Sequence, residues 1–168
     1  MQHVLRTDRL TLRELGEQDA VAFHALNSDP EVMRYTGEPL SNSVEEARRR
    51  LREYPDYRER GYGRWALVLT EEQRVIGFNG LKFLPELGET DIGFRLLPAY
   101  WGKGLATESS RAVIRFGFEV LGLARILGLV LPENARSIRV LEKIGMRRSG
   151  DVDYEGLRAQ RWVIESGG

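Results

Sequence analysis

Cysteine is absent from this 168-residue chain, which excludes disulfides, thiolate metal sites and a cysteine nucleophile. Histidine occurs only as His3 and His24, too few for a histidine-based metal site. Lysine is scarce: Lys82, Lys103 and Lys143 stand among 25 basic residues, and the rest are arginine. No apolar run approaches the roughly 20 residues of a membrane span, and the N-terminus lacks the apolar stretch of a signal peptide. The expected location is therefore the cytoplasm, without a membrane partner. Net charge is zero, so nothing global draws the chain to nucleic acid. The run Arg48-Arg-Arg-Leu-Arg52 is interleaved with Glu45, Glu46 and Glu53 and reads as a solvated helix face.

What is present suits one soluble domain: 42% hydrophobic and 30% charged residues, in a chain long enough for a sizeable core. Leu10–Glu14 alternates as a strand. Gln18–Ser28 has helical apolar spacing, with Asp19 helping to start it, and Asp29-Pro30 breaks it before a short helical turn at Glu31–Tyr35. Ser43, with Glu46 three residues on, predicts a capping box and a second helix. Trp65–Leu69 and Val75–Phe83 read as an antiparallel pair, and Thr90–Leu97 as the next strand. Gly104–Leu121 is a helix with Ala106, Ser109, Val113, Phe116 and Val120 on one face. Arg125–Leu131 is an apolar strand suited to parallel pairing. Asn134 caps a helix that Gly145 ends, and Met146–Tyr154 and Leu157–Ile164 close the chain as strands. The order describes a mixed α/β layer fold.

The densest signal is Asp91-Ile-Gly-Phe-Arg-Leu-Leu-Pro-Ala-Tyr-Trp-Gly-Lys-Gly-Leu-Ala-Thr-Glu108. It joins a buried strand, a proline stop, a glycine turn and a helix start. Gly102 and Gly104 let successive N–H groups converge, and the helix adds its unpaired N–H groups and positive dipole end, making an anion site. A Walker loop fits poorly because Gly104 follows Lys103, and a dinucleotide loop fits poorly because Thr107 holds its third glycine position.

Trp101-Gly-Lys-Gly-Leu-Ala106 resembles the pyrophosphate loop of the GNAT N-acetyltransferases, [Gln/Arg]-x-x-Gly-x-[Gly/Ala], with Gly104 and Ala106 matching and Trp101 departing. That departure, Pro132–Met146 and the opening Leu5–Arg13 are similar to the RimJ/RimL branch of ribosomal-protein N-acetyltransferases. The resemblance spans about residues 5–165. It implies a single N-acetyltransferase domain over 1–168, of α/β (α+β) class. Its central sheet would be mixed and mostly antiparallel, with a splayed parallel strand pair and flanking helices. It implies acetyl-CoA as cosubstrate, no metal, and an amine acceptor: a peptide N-terminus or a small molecule. A homodimer is left open.

By that resemblance, pantetheine pairs with Phe94, Arg95 and Leu96, and pyrophosphate sits on Trp101, Gly102, Lys103, Gly104, Leu105, Ala106 and Thr107. The acetyl oxygen meets a backbone N–H near Leu96 or Leu97, and Asn134 touches pantetheine. The amine must lose a proton to react, and the candidate bases are Asp91, then Glu155, then Glu89. Leu141 stands where many relatives carry a proton-donating tyrosine. Ser137 is the alternative group at the leaving thiolate, with Tyr154 a lesser one. Met33, Tyr35 and Trp65 are candidate acceptor contacts. The missing tyrosine keeps a rival reading open, that of a non-catalytic acyl-CoA-binding module.

Overall fold

The computed structural model describes residues 3–167; Met1, Gln2 and Gly168 of the expected 1–168 domain lie outside the described residues. Eight strands form one sheet in the order β1-β2-β3-β4-β5-β6-β8-β7. The first four are β1 (His3–Arg6), β2 (Leu10–Arg13), β3 (Arg64–Leu69) and β4 (Arg74–Leu84). The other four are β5 (Glu89–Leu96), β6 (Arg125–Val130), β7 (Arg147–Tyr154) and β8 (Leu157–Glu165). Between β2 and β3 lie α1 (Ala20–Asn27), α2 (Pro30–Met33), α3 (Val44–Glu53) and α4 (Asp56–Arg60). The helix α5 (Leu105–Glu119) crosses from β5 to β6, and α6 (Ala135–Lys143) follows β6.

Successive strand residues face opposite sides of a sheet, and β4 shows what each side carries. Phe78 meets Phe23 of α1 with ring centroids 6.5 Å apart. Its neighbour Asn79 turns to the other side and donates through Nδ2 to Ser109 and Ser110 of α5, each at 2.9 Å. The α5 side holds the main core, with Leu81, Ile92, Leu96, Leu105, Val113, Ile126 and Leu141 buried together. On the α1 side a smaller cluster joins Ala20, Ala47 and Leu51.

The expected elements are present, with four differences that have local causes. First, β1 and α4 join the expected set; at four and five residues they are too short for a periodic signal. Second, Asp19 does not cap α1. Its carboxylate turns back to the Gly16 N–H at 2.9 Å and to the Arg13 guanidinium at 2.9 Å. Third, Ser43 caps α3 through the Glu46 N–H at 3.0 Å, but the Glu46 carboxylate takes Asn42 instead of closing the box. Fourth, Val120 falls past the last turn of α5 and is 66% exposed. The arginines of α3 are engaged locally: Arg48 with Glu45, Arg49 with Glu53, Arg52 with Glu17, and Arg50 over the Phe23 ring.

Candidate active site

All neighbouring strands are antiparallel except β5 and β6, which pair in parallel at Asp91↔Leu127 alone. Both strands are fully paired on their other edges, β5 with β4 and β6 with β8. Beyond Asp91 and Leu127 they therefore part, leaving a wedge between two strand edges. An antiparallel ladder alternates which residues bond across it. The Leu97 N–H reaches Ile76 O at 2.9 Å, so by the β4–β5 register Arg95 and Gly93 also face β4. The N–H groups of Phe94 and Leu96 consequently point into the wedge. Of the two N–H groups expected to meet an acetyl oxygen, that of Leu97 is consumed and that of Leu96 remains. The Leu96 carbonyl accepts the Trp101 indole N–H at 2.8 Å, folding the following loop against the strand end.

That loop lies at the mouth of the wedge. Pro98 opens a single 3-10 turn to Tyr100, and Gly102 and Gly104 take φ of +73° and +78°, the left-handed region that glycine enters without a Cβ penalty. Gly104 is the residue before α5. The first-turn N–H groups of α5 have no acceptors within the helix. Two anchors hold this helix start. On the core side stands the Asn79–Ser109–Ser110 cluster. On the outer side Glu108 accepts from the Thr7 hydroxyl at 2.6 Å, the Arg9 N–H at 3.0 Å and Arg9 Nε at 2.8 Å. The Arg9 guanidinium also donates to the Lys103 carbonyl at 3.0 Å, while Lys103 itself is exposed. Burial alone would raise the Glu108 pKa, but these bonds outweigh it and hold the carboxyl below its ordinary value.

The apex of the wedge is charged. Asp91 is 7% exposed and accepts from Arg64 Nη2 at 3.0 Å; Arg64 Nη1 donates to the Gly80 carbonyl at 3.0 Å. Burial pushes the Asp91 carboxyl above its ordinary pKa, and Glu155 adds to the rise, against the opposing pull of Arg64 and Lys82. Glu155 lies in the β7–β8 turn with φ of +47°. Next to it burial, Glu155 and Asp91 push the Tyr154 hydroxyl up to about 12, which makes it a poor proton donor. Glu89, the third expected base, is tied to Arg125 and lies off the cleft. Arg95 points to the α1 side, donating to Asn27 at 3.0 Å and to Glu38.

A cleft of about 540 Å³ joins these parts. Phe94, Arg95, Leu96, Trp101, Gly102 and Gly104 line one wall, continuing through Leu105, Ala106 and Thr107. Asn134 and Ser137 line the other, with Asp91, Tyr154 and Glu155 toward the apex. Asn134 is the N-cap of α6, accepting the Ser137 N–H at 3.2 Å. The Ser137 hydroxyl makes no hydrogen bond within the described residues. Tyr35 also lines the cleft, but the other two expected acceptor contacts are corrected by their placement. Trp65 is 1% exposed in the main core, edge-on to Phe116 with ring centroids 5.3 Å apart. Met33 is buried off the cleft at the end of α2. Sequence reasoning missed Arg64 and the Arg9–Glu108 anchor, and it set Arg95 on the wedge edge, whereas its backbone faces β4 and its side chain Asn27. Each joins elements far apart in the chain, and only the glycine at 93, where Arg64 lies, hinted at a close approach.

A sheet split at one parallel pair, with a glycine loop at the mouth and carboxylates at the apex, makes a cleft suited to an anionic group at one end and a cationic one at the other. Residues 9–147 match the Acetyltransferase (GNAT) domain family, and the chain belongs to that family. An uncharacterised N-acetyltransferase, YoaA of Bacillus subtilis, is 35% identical over 149 residues, covering 88% of this chain and 84% of that one. A GNAT-family acetyltransferase structure from Bacillus anthracis superposes with a TM-score of 0.81 at 29% identity, covering 98% of each chain. The spermidine N-acetyltransferase of Vibrio cholerae, solved with CoA and spermine, shares the fold with a TM-score of 0.77 at 22% identity, covering 94% of this chain and 95% of that one.

Proposed function

We propose that this chain is an acetyl-CoA-dependent N-acetyltransferase of the RimJ/RimL-like branch, acting in the cytoplasm. Its acceptor is a primary amine, on a small molecule or a peptide N-terminus. The observation that carries this reading is the wedge that opens from the single Asp91↔Leu127 pair. Its mouth offers backbone N–H groups for a diphosphate, and its edge offers the Phe94 and Leu96 N–H groups to an extended amide chain, as a further strand would. When bound, acetyl-CoA supplies an activated acyl carbon.

The chain's own residues then handle charge and protons. The Leu96 N–H is aimed at the acyl oxygen and stabilises the negative charge that develops there. Asp91 takes the proton that the attacking amine must lose, and burial tunes it toward that role. Glu155 at the apex favours an approaching cation. As the new C–N bond forms and the C–S bond breaks, the Ser137 hydroxyl donates a hydrogen bond to the departing sulfur, which leaves as the thiolate and takes its proton from solvent. With no cysteine in the chain, the acetyl group passes to the amine within a ternary complex.

The test is thiol release from acetyl-CoA across a panel of polyamines, aminoglycosides, amino acids and N-terminal peptides. Turnover with one class supports the reading and names the acceptor. The rival, an acyl-CoA-binding module without turnover, is favoured by the buried Leu141, which cannot donate a proton. Tight CoA binding with no turnover across the panel would select it.

A further inference from the structure

Two half-buried tyrosines outside the cleft converge on one residue at its apex. Tyr54 precedes α4 and Tyr57 lies within it, and their rings meet edge-on with centroids 5.0 Å apart. Neither lines the cleft. Both hydroxyls are instead spent on the backbone of Arg64. Tyr54 accepts the Arg64 N–H at 2.9 Å and donates to Asp56 at 3.1 Å. Tyr57 donates to the Arg64 carbonyl and accepts the Leu15 N–H at 3.0 Å. Each phenol uses its one proton and a lone pair.

The sheet gives the reason. The Gly63 carbonyl accepts the Leu81 N–H at 3.0 Å, so Gly63 faces β4 and the backbone of Arg64, the next residue, faces the β2 side. The β2–β3 ladder stops short of it, with Arg13↔Ala66 as its last pair. The Arg64 N–H and carbonyl form an open strand edge there, and the two phenols stand in for the missing strand. Their rings lie over Gly63, where an added Cβ would come within 2.7 Å of the Tyr54 hydroxyl and 2.9 Å of the Tyr57 ring. The side chain of the same Arg64 donates to the Gly80 carbonyl and to the Asp91 carboxylate, each at 3.0 Å. Burial holds both phenols above the ordinary tyrosine range, so they stay protonated and the clamp itself does not titrate near neutral pH.

Resting on the reading of Asp91 as the base, we infer that Tyr54 and Tyr57 are positioning residues for the reaction: they fix the backbone of Arg64, and with it the reach of its guanidinium to the Asp91 carboxylate, and so set the pH below which Asp91 no longer takes the proton of the amine. The charged and titratable groups facing Asp91 are Arg64 from β3, Lys82 from β4, Tyr154 from β7 and Glu155 from the β7–β8 turn. Of these, Arg64 is the one hydrogen-bonded to the carboxylate among the described residues. A neighbouring guanidinium lowers a carboxylate pKa by about 1–3 units, and the attraction weakens with separation. Loosening the Arg64 backbone forfeits part of that effect without removing a charge.

The test follows the Asp91 carboxyl by carbon-detected NMR through a pH titration, which needs no substrate. Beside it runs the pH dependence of kcat/KM with acetyl-CoA and the amine that turns over. Tyr57→Phe and Tyr54→Phe each lose only a hydroxyl. Both should raise the Asp91 pKa and move the acid limb up with it, by a fraction of the shift in Arg64→Met. Neither should add to the shift once Arg64→Met is present. Tyr54→Phe frees a single backbone bond and keeps the test open should Tyr57→Phe, which also frees the Leu15 N–H, fold poorly. Val113→Ala, a truncation in the main core, should lower stability and leave both pH readings at their wild-type values. An Asp91 pKa that moves in Arg64→Met but in neither tyrosine variant overturns the positioning role and leaves the base reading standing. So does an equal movement in Val113→Ala, or a further shift on top of Arg64→Met. A carboxyl that titrates higher in the variants beside an acid limb that stays put overturns the base reading, and the role of the clamp in the reaction with it.

Discussion

Arg64 reaches from β3 across the intervening strand to Asp91 of β5, where its Nη2 lies 3.0 Å from a carboxylate oxygen. The guanidinium lies over Gly93, where an added Cβ would come within 2.6 Å of it. The ion pair thus depends on a missing side chain one strand-pleat away. Burial raises the Asp91 pKa and Arg64 restrains the rise. A carboxyl raised in the fold is stabilised in its protonated form, so its contribution to stability is present at low pH and lost as pH climbs through the folded pKa. Catalysis requires the opposite form, so kcat/KM falls as pH drops through that same value. Arg64→Met removes the restraint and moves the acid limb to higher pH. Gly93→Ala displaces the tip of Arg64 and produces a shift of the same sign, while Asp91→Asn lowers kcat/KM by roughly 10²- to 10⁴-fold. A pH–rate series on the three variants checks this; an acid limb that stays put in Arg64→Met would remove Asp91 from the base role.

Glu108 is the anchor of the glycine loop on its outer side. Its pKa is lowered by Thr7 and Arg9 despite burial, so it favours the fold above its unfolded pKa, and that contribution is lost as pH falls through the depressed folded value. Glu108→Gln keeps the shape and loses the charge that holds Arg9 over the Lys103 carbonyl. The expected result is a rise in KM for acetyl-CoA of about tenfold, the scale of one charge-assisted hydrogen bond, with kcat changed far less. The loss should shrink as pH falls through the depressed folded value, where wild-type Glu108 itself takes up a proton. A fall in kcat at constant KM would place Glu108 in the chemical step instead.

Trp65 separates a packing role from an acceptor role. Truncation to Ala in the main core should cost about 3–5 kcal/mol and lower the melting temperature by several degrees or more. Measured well below that temperature, acceptor KM should stay within about twofold of wild type. Tyr35→Ala should do the reverse, with little loss of stability and a clear rise in acceptor KM. Steady-state kinetics beside thermal denaturation distinguishes the two, and a large acceptor effect in Trp65→Ala would return it to the pocket.

These contrasts show which parts of the molecule sequence reasoning reaches. The glycine loop was legible because its function is local: Gly102, Gly104 and the α5 start lie within a few residues, and positive φ values leave a residue-type mark. The strands and long helices were legible through periodicity. Trp65 and Tyr35 look alike as aromatic residues near turns, and only the register that faces Trp65 to Phe116 separates them. Arg64 could not be assigned to Asp91 beforehand, since one of 22 arginines meets it only after β3, β4 and β5 are aligned. Parallel pairing of β6 was anticipated from its apolar run and its splay from the family resemblance, but the one pair that remains, Asp91↔Leu127, was not. That limit depends on β8 taking the other edge, a long-range pairing with no local signature.

Ser137 carries the last step in the proposed chemistry, and its position explains why a buried Leu141 is tolerable. Leu141 packs against Gly128, approaching a Cβ built there to 3.2 Å, so this side of α6 is committed to the core. One turn earlier the chain turns Ser137 into the cleft, at the helix start that Asn134 caps. A serine hydroxyl is a weak acid, so its service to the thiolate is a hydrogen bond or an ordered water, worth about 10- to 100-fold in rate. Ser137→Ala should therefore lower kcat by that amount and leave KM for acetyl-CoA near its wild-type value. The loss should shrink with an acyl donor whose thiol is more acidic, because a better leaving group needs less help. Ser137→Thr keeps the hydroxyl and should recover part of the rate. Equal losses with both donors, or a loss confined to KM, would reduce Ser137 to a helix-start residue and leave the thiolate to solvent.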